Sequence, residues 1–191
     1  DVDLTALAAL VQPGGAAMAL RFDKALGAHA PVEADQQGVI VRMREFAGTP
    51  GVGIPGSHFT GIHACHRSLL AKVPDGFACI VRTAYTEALP SRAVRGLVHG
   101  GQWVDIGTPE DYLSANWALL DGTMTAPADI WAHGERGPNQ SWVGRDTTVD
   151  GQVHRSVVGS GATVPRGSRL RDCVVWDGAA VPEGEHHRVI F

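Results

Sequence analysis

A near repeat close to the C-terminus constrains this chain more than any other feature. The ten residues from Val158 to Gly167 recur 17 residues later, from Val175 to Gly184, with valine, glycine, alanine and proline in the same places. Aliphatic residues also fall six apart in this region, at Val158, Val164 and Leu170. A hexapeptide period stacks short strands into triangular coils whose interior the aliphatic positions line. The repeat therefore predicts a short left-handed parallel β-helix of about three coils.

The chain before the repeat shows a mixed pattern of short helices and strands. Apolar spacing predicts a helix at 4–11, capped by Asp3, and another at 80–89. Strands are predicted at 16–22, 38–43, 59–64 and 94–99. Thr108 and Pro109 start a further helix that runs to about residue 120. These elements predict an α/β domain over residues 1–122. The aperiodic residues 123–140 are predicted to be a linker, and residues 141–191 the β-helix.

Composition narrows the class of function. The formal net charge is -4 and 19% of residues are charged, so no basic surface for nucleic acid is expected. No apolar run approaches the roughly 18–20 residues needed to cross a bilayer, and no basic signal region opens the chain. A cytoplasmic protein without membrane partners is therefore expected. The three widely spaced cysteines, Cys65, Cys79 and Cys173, indicate reduced core thiols.

Three segments resemble one family of enzymes. The run from Gly101 to Glu110, G-Q-W-V-D-I-G-T-P-E, looks like the G-x-W-x-D-I-G-T-P signature of sugar 1-phosphate nucleotidylyltransferases. Residues 59–63, F-T-G-I-H, look like the F-T-G-I or N-A-G-I strand of the same family. The repeat segment from Asp172 to Ala179 is similar to its D-S-V-V-W-x-G-A coil. Mannose 1-phosphate guanylyltransferases and N-acetylmuramate 1-phosphate uridylyltransferases are members of this family.

The resemblance implies an incomplete Rossmann-like nucleotidyltransferase domain followed by the left-handed β-helix. The implied reaction joins an NTP and a sugar 1-phosphate to give an NDP-sugar and pyrophosphate, and it requires Mg²⁺. The G-x-G-T-R-x-x-P loop, with which the family binds nucleotide phosphates, does not occur in this sequence. An N-terminal companion fragment or a homo-oligomer is therefore among the partners considered.

The resemblance also assigns roles to individual residues. Asp105 corresponds to a catalytic aspartate that holds Mg²⁺; alternatively, its carboxylate caps the following helix or pairs with an arginine. Thr60 and Gly61 correspond to residues beside the sugar, where backbone groups bind hydroxyls and a missing β-carbon admits the ring. Simple strand packing is the alternative reading for this pair.

One segment departs from the family pattern. Glu45 corresponds to the glutamate of an F-x-E-K-P motif that contacts sugar hydroxyls, but Phe46 stands where the family has the lysine that binds the sugar phosphate. Arg42 or Arg44 is a candidate for the missing charge, and a solvated position is the alternative for both.

Two further clusters carry weaker signals. His63, Cys65 and His66 resemble a metal-binding set, but strand alternation separates His66 from the other two. The pair His186-His187 raises a hexapeptide-repeat acyltransferase as an alternative function, against exposed residues without a role. A non-catalytic regulatory or binding subunit that partners a catalytic homologue is the other alternative.

Overall fold

The computed structural model of the chain describes residues 2–23, 31–43, 48, 53–126 and 128–191. The chain divides into two compact units, the first ending at Trp103 and the second beginning at Val104. This division differs from the boundaries expected from the sequence, because the helix after Thr108 and the segment 123–140 both fall within the second unit. The predicted sugar contact Glu45, with Arg44 and Phe46, lies outside the described residues.

The first unit is built on one five-stranded sheet. Its strands are β1 (Ala16–Phe22), β2 (Val32–Ala34), β3 (Ile40–Met43), β4 (Ile54–Cys65) and β5 (Val94–His99). They lie in the order β3-β2-β4-β1-β5. Strand β1 pairs parallel with β5, and the other neighbouring pairs are antiparallel. The sheet is therefore mixed, and β1 lies in its interior.

Short helices flank this sheet. They are α1 (Leu4–Ala9), α2 (Arg67–Leu70) and α3 (Thr86–Ala88), which continues a π-helical turn at Val81–Tyr85. Asp3 caps α1 as predicted, since its carboxylate accepts a hydrogen bond from the Ala6 backbone N–H at 2.9 Å. The predicted helix at 80–89 corresponds to the π-helical turn with α3.

Strand β1 supplies the centre of the first unit's core. Its alternate residues Ala16, Met18 and Leu20 are completely buried in a cluster that also holds Tyr85. Ala17 and Ala19 are buried on the opposite face. A strand covered on both faces reads as a continuous apolar run. This explains why the segment from Ala16 to Leu20 contains no polar residue.

The second unit begins with a capped helix and continues in short strands. The helix is α4 (Pro109–Leu120), and a 3-10 helix follows at Ala128–His133. The strands are β6 (Gly134–Gly137), β7 (Ser141–Gly144), β8 (Thr148–Val149), β9 (Gln152–His154), β10 (Val157–Val158), β11 (Thr163–Val164), β12 (Ser168–Arg171), β13 (Val174–Val175) and β14 (Gly184–His187). They form three sheets, ordered β13-β10-β7-β6, β11-β8 and β14-β12-β9.

The three sheets repeat in the same order along the chain. Every strand pair within them is parallel except β6 with β7. Val158 lies opposite Val175, which confirms the 17-residue spacing predicted from the sequence. Val164 and Leu170 are buried with Val158 in one cluster, as the six-residue period predicts. The left-handed β-helix itself stays a prediction.

Helix α4 packs against the outside of these sheets. Leu113 and Trp117 of the helix are buried against Val174. The indole of Trp117 lies between two guanidinium groups, those of Arg155 and Arg188, each 5.0 Å from the ring centre. The helix is therefore fixed by apolar packing and by cation–π contacts.

An ion-pair network joins the end of α4 to the same surface. Arg155 forms ion pairs with Asp121 at 2.7 Å and with Asp172 at 2.8 Å. His187 Nε2 lies 3.2 Å from the Asp172 carboxylate. These four residues, together with Trp117 and Arg188, are called the corner cluster below.

The three cysteines are free, but they are not all core residues. Cys173 is buried and Cys65 is partly buried, whereas Cys79 is exposed. The prediction of a core position is therefore wrong for Cys79. Backbone N–H groups of Arg82 and Val81 hold the pKa of this exposed thiol below its ordinary value. Cys79 precedes the π-helical turn, so the first N–H groups of that turn point toward it, and its carbonyl accepts from the Arg82 N–H at 3.0 Å.

Candidate functional site

A bulge interrupts β4 at the segment that resembles the family's sugar-binding strand. Phe59 pairs with Leu20 and His63 pairs with Met18, so the residues 60–62 lie opposite a single residue of β1. An ordinary bulge places two residues opposite one. The larger irregularity lifts three consecutive backbone units out of the antiparallel ladder. Bulges are over-represented next to active sites, where they change the direction of side chains and backbone groups.

Glycine is required here because of the backbone conformation. Gly61 has a φ of +86°, and a β-carbon built at this position meets no atom of the described residues within 4 Å. Glycine adopts positive φ without the steric cost that other residues carry. The conformation of the bulge, and not crowding by the protein, therefore explains Gly61. The open space beside it is consistent with the expected approach of a ligand.

Two side chains hold the bulge in place. The Thr60 hydroxyl donates a hydrogen bond to the Ala19 carbonyl at 2.9 Å, which ties the bulge to β1. The Trp103 indole N–H donates to the Thr60 carbonyl at 3.3 Å, across 43 residues of sequence. Trp103 also packs against the His58 ring at a tilted angle of 35°, with 5.3 Å between ring centres. The structure therefore joins the F-T-G-I segment to the tryptophan of the G-x-W-x-D segment.

A second group of polar side chains lies directly after the bulge. The buried Tyr85 hydroxyl forms hydrogen bonds with His63 Nδ1 and, at 3.2 Å, with the Cys65 sulfur. Burial, followed by the neighbouring Cys65, raises the pKa of Tyr85 well above its ordinary value, so the phenol keeps its proton. Burial also lowers the pKa of His63, which favours the neutral imidazole.

The metal-binding reading of this histidine cluster has no support among the described residues. As the alternation predicts, His66 is separate from His63 and Cys65. Its Nδ1 accepts from the Ser68 backbone N–H at 3.3 Å and caps α2. The described part of the chain contains no group of three or more His, Cys, Asp or Glu side chains that could hold a metal ion.

The Arg42 side chain forms an ion pair within the sheet of the first unit. Its guanidinium contacts Glu33 at 2.7 Å on the neighbouring strand β2, and the Glu33 side chain is only 2% exposed. Glu33 also accepts from the Gly53 backbone N–H at 3.2 Å. The solvated position considered for Arg42 is therefore wrong, because its charge balances a buried carboxylate.

Asp105 lies in the second unit, four residues before α4. Its carboxylate is exposed. The helix is capped by Thr108, whose hydroxyl accepts from the Asp111 N–H at 3.1 Å, while the Asp111 carboxylate accepts from the Thr108 N–H at 3.1 Å. Within residues 104–126 and 128–191, Asp105 forms no hydrogen bond or ion pair. The cap that Asp105 was considered to provide is thus formed by other residues.

The two C-terminal histidines have neighbours within the repeat. His186 Nε2 lies 2.9 Å from the Pro182 carbonyl, and the imidazole packs edge-on against Phe191. His187 is exposed and pairs with Asp172. Both histidines therefore have local structural contacts, which do not require an acyltransferase role.

Comparisons with known proteins relate this chain to nucleotidyltransferase enzymes at a general level. No family model matches the chain. The chain is similar to mannose-1-phosphate guanylyltransferase of Mycobacterium tuberculosis, with 29% identity over 128 residues. The alignment covers 65% of this chain, and the chain spans only 35% of that relative's length. The similarity supports a relationship to nucleotidyltransferase enzymes. Among the described residues, no helix is long and apolar enough to span a membrane.

The sequence singled out Thr60 and Gly61 as candidate site residues, but it did not indicate that Trp103 bonds to Thr60 or that Tyr85 bonds to His63. Trp103 belongs to a recognisable motif, so its position in the sequence was a usable signal. Tyr85 had no such signal, because it lies in a different element and meets His63 only in the folded chain.

Proposed function

We propose that this chain provides the sugar-binding part of a sugar 1-phosphate nucleotidylyltransferase. The proposed reaction converts an NTP and a sugar 1-phosphate into an NDP-sugar and pyrophosphate. The observation that supports it best is the bond from Trp103 to Thr60 at the bulge, because it unites the two segments that resemble this family. The similarity to a mannose-1-phosphate guanylyltransferase makes mannose 1-phosphate the first ligand to test.

The bulge suits a polyhydroxylated ligand. Gly61 is exposed and has open space beside it, so its backbone N–H and carbonyl can be approached closely. The Thr60 hydroxyl and carbonyl are already used to hold the bulge. The proposed sugar contacts are therefore backbone groups of the bulge, preorganised by Thr60 and Trp103.

The binding claim is tested by calorimetric titration of mannose 1-phosphate into the chain and into two glycine variants. Gly61→Ala disturbs the bulge and should weaken binding at least tenfold. Gly76→Ala is the matched control, because Gly76 is also exposed, has a φ of +90°, and a β-carbon there meets none of the described atoms within 4 Å. Equal affinity of the wild type and Gly61→Ala would remove the bulge from the binding site.

We infer that Asp105 is the residue that holds Mg²⁺ in the proposed enzyme. The ion neutralises the negative charge of the reacting phosphates when bound. An exposed carboxylate without an ion-pair partner in its own unit fits this role, since Mg²⁺ commonly binds one or two carboxylates together with substrate phosphates. Asp105→Asn should weaken the binding of Mg²⁺ to the chain, measured by calorimetric titration. Asp129→Asn, at another exposed carboxylate of the same unit, should leave Mg²⁺ binding unchanged.

Turnover is tested separately from binding. Pyrophosphate release is measured with mannose 1-phosphate, Mg²⁺ and each of the four NTPs. Release with one NTP would support the catalytic proposal. Binding of mannose 1-phosphate without release would favour the alternative of a non-catalytic subunit that partners a catalytic homologue.

We also infer that the repeating coils of the second unit form a short left-handed β-helix. The 17-residue register of Val158 with Val175 and the parallel pairing of the strands that recur along the repeat support this inference. An experimental structure with right-handed connections between these strands would contradict it. Such a β-helix is proposed to serve oligomerisation or regulation.

A further inference from the structure

We propose that His63 is a further ligand-contacting residue at the bulge, donating its Nε2–H to a hydroxyl oxygen of the bound sugar. This inference rests on the proposed function, because it names an additional specificity contact in the same site. His63 is exposed and lies two residues beyond Gly61, at the point where β4 rejoins its pairing with β1. Two residues of strand span about 7 Å, a distance that one hexose ring can bridge.

Two aromatic neighbours set the orientation of the His63 ring. His63 packs against Phe59 with 5.6 Å between ring centres, and it meets Tyr85 edge-on at an interplanar angle of 83°. Its Nδ1 faces the buried Tyr85 hydroxyl. Because one edge of the imidazole faces the interior, the opposite edge, which carries Nε2, forms the exposed part of the side chain.

The contact with Tyr85 determines which ring nitrogen of His63 carries the proton. The hydroxyl of Tyr85 keeps its proton and has two neighbours, His63 Nδ1 and the Cys65 sulfur. An imidazole nitrogen is a much better acceptor than a thiol sulfur. Tyr85 therefore donates to Nδ1 and accepts from the Cys65 thiol. A neutral imidazole whose Nδ1 accepts carries its proton on Nε2.

The Nε2–H group of His63 is available to a ligand. Among the described residues of the first unit, no side chain or backbone group bonds to His63 Nε2. The chain Cys65 to Tyr85 to His63 thus ends in a donor that faces outward. A donor fixed by a buried partner loses little conformational entropy on binding, which favours a specificity role.

The neutral state of the His63 ring indicates which part of the ligand it contacts. Partial burial of the imidazole lowers its pKa below the ordinary value and favours the neutral ring, so His63 offers a hydrogen bond without a positive charge. A neutral donor suits a sugar hydroxyl, whereas a phosphate group is bound more strongly by cations. The contact is therefore assigned to a hydroxyl and not to the phosphate.

The test uses three substitutions with different donor positions. His63→Ala removes the donor, His63→Gln places an amide N–H near the position of Nε2, and His63→Asn places one near Nδ1. Loss of one neutral hydrogen bond predicts about fivefold to tenfold weaker binding of mannose 1-phosphate for the Ala variant. The Gln variant should recover most of this loss, and the Asn variant should not. A purely structural role would not distinguish Gln from Asn in this order.

Inorganic phosphate provides the second arm of the titration. All three variants should bind phosphate as the wild type does, because His63 does not contact the phosphate in this proposal. An equal loss of affinity for phosphate and for mannose 1-phosphate would overturn the assignment to a hydroxyl. Unchanged affinity of His63→Ala for mannose 1-phosphate would overturn the contact itself.

A ligand-free measurement separates this inference from the proposed function. Long-range ¹H–¹⁵N NMR of the wild-type chain should show the Nε2–H tautomer of His63, and Tyr85→Phe should shift the population toward a mixture of tautomers. Observation of the Nδ1–H tautomer in the wild type would contradict the inference while leaving the proposed function intact. Failure of the wild type to bind any sugar 1-phosphate would reject both.

Discussion

The bulge in the first unit and the corner cluster in the second use the same backbone conformation with different residues. At the bulge, the positive φ belongs to a glycine, Gly61. At successive corners of the repeat, it belongs to Arg155, Asp172 and Arg188, with φ values of 45°, 55° and 58°. A residue with a β-carbon pays about 1–2 kcal/mol for this conformation. The charged corners offset the cost by side-chain contacts, whereas the glycine leaves its backbone open.

The corner cluster is organised for stability, whereas the bulge is organised to leave its backbone groups accessible. Arg155 and Arg188 flank a buried tryptophan, and Arg155 and Asp172 form an ion pair. The side chains at the corners therefore bind one coil to the next and to α4. At the bulge, Thr60 and Trp103 fix the backbone by hydrogen bonds, and no described side chain lies within 4 Å of a β-carbon built at Gly61.

The largest effect is expected for Trp117→Ala in the corner cluster. This substitution removes a side chain that is 9% exposed and packed between two guanidinium groups. The free energy of unfolding should fall by about 3–5 kcal/mol, measured by urea denaturation. Trp176→Ala is the control, since Trp176 is 59% exposed, and its cost should be about 1 kcal/mol or less. Similar losses for the two variants would contradict the assigned role of the cluster.

The next effect concerns acid stability of the second unit. Burial alone would raise the pKa of Asp172, but hydrogen bonds from Arg155 and His187 outweigh it and lower that pKa. A carboxylate with a lowered folded pKa stabilises the protein above its unfolded pKa, near about 4, and the stabilisation disappears as the pH falls through the folded value. Thermal unfolding between pH 6 and pH 3 should therefore show a falling Tm below about pH 4.

The variant Arg155→Ala sharpens this pH prediction. It should cost about 1–2 kcal/mol at neutral pH, because the carboxylates of Asp121 and Asp172 lose their shared partner. The acid-dependent loss should be smaller than in the wild type. Arg169→Ala is the matched control, because its ion pair with Glu185 is largely exposed on both sides, and it should change little. An unchanged acid profile for Arg155→Ala would contradict the network.

A smaller effect is expected at the bulge. Gly61→Ala should cost about 1 kcal/mol of unfolding free energy, because alanine must adopt a positive φ. Gly61→Asn should cost less, since asparagine tolerates the left-handed region better than alanine. If Ala and Asn at this position cost the same, backbone conformation would not explain the glycine.

The smallest effect is expected for Thr60→Val. The substitution keeps the shape of the side chain and removes the hydrogen bond to the Ala19 carbonyl. The expected cost is about 0.5 kcal/mol, near the lower end of the net contribution of one hydrogen bond, measured by urea denaturation. Thr163→Val, at an exposed position in β11 of the second unit, serves as the surface reference. If Thr60→Val also weakens sugar-phosphate binding under conditions where the variant is fully folded, the Thr60 hydroxyl also fixes the binding conformation.

Much of the second unit could be predicted because its structure is local and periodic. The 17-residue spacing of Val158 and Val175 is visible in the sequence, since equivalent positions of stacked coils face the same environment. The start of α4 was also predicted, because Thr108, Pro109 and Asp111 satisfy the free N–H groups of its first turn.

The candidate site could be predicted only in part, because its geometry depends on pairing between distant segments. The sequence indicated a glycine within a strand, but it could not show that three residues would lie opposite one. The bond between Trp103 and Thr60 and the pairing of Arg42 with Glu33 likewise connect different elements. Hydrophobic period reports which face of an element is buried, but it does not report the register between elements.

The most direct test is an NMR titration of the ¹⁵N-labelled chain with mannose 1-phosphate. The chain has five tryptophans, and the Trp103 indole N–H reports directly on the bulge because it bonds to Thr60. We expect chemical-shift changes at this indole and at the amides of residues 60–63, with the Trp117 indole of the corner cluster unchanged. Changes absent from the bulge, at ligand concentrations that saturate binding elsewhere, would contradict the assignment of the sugar site.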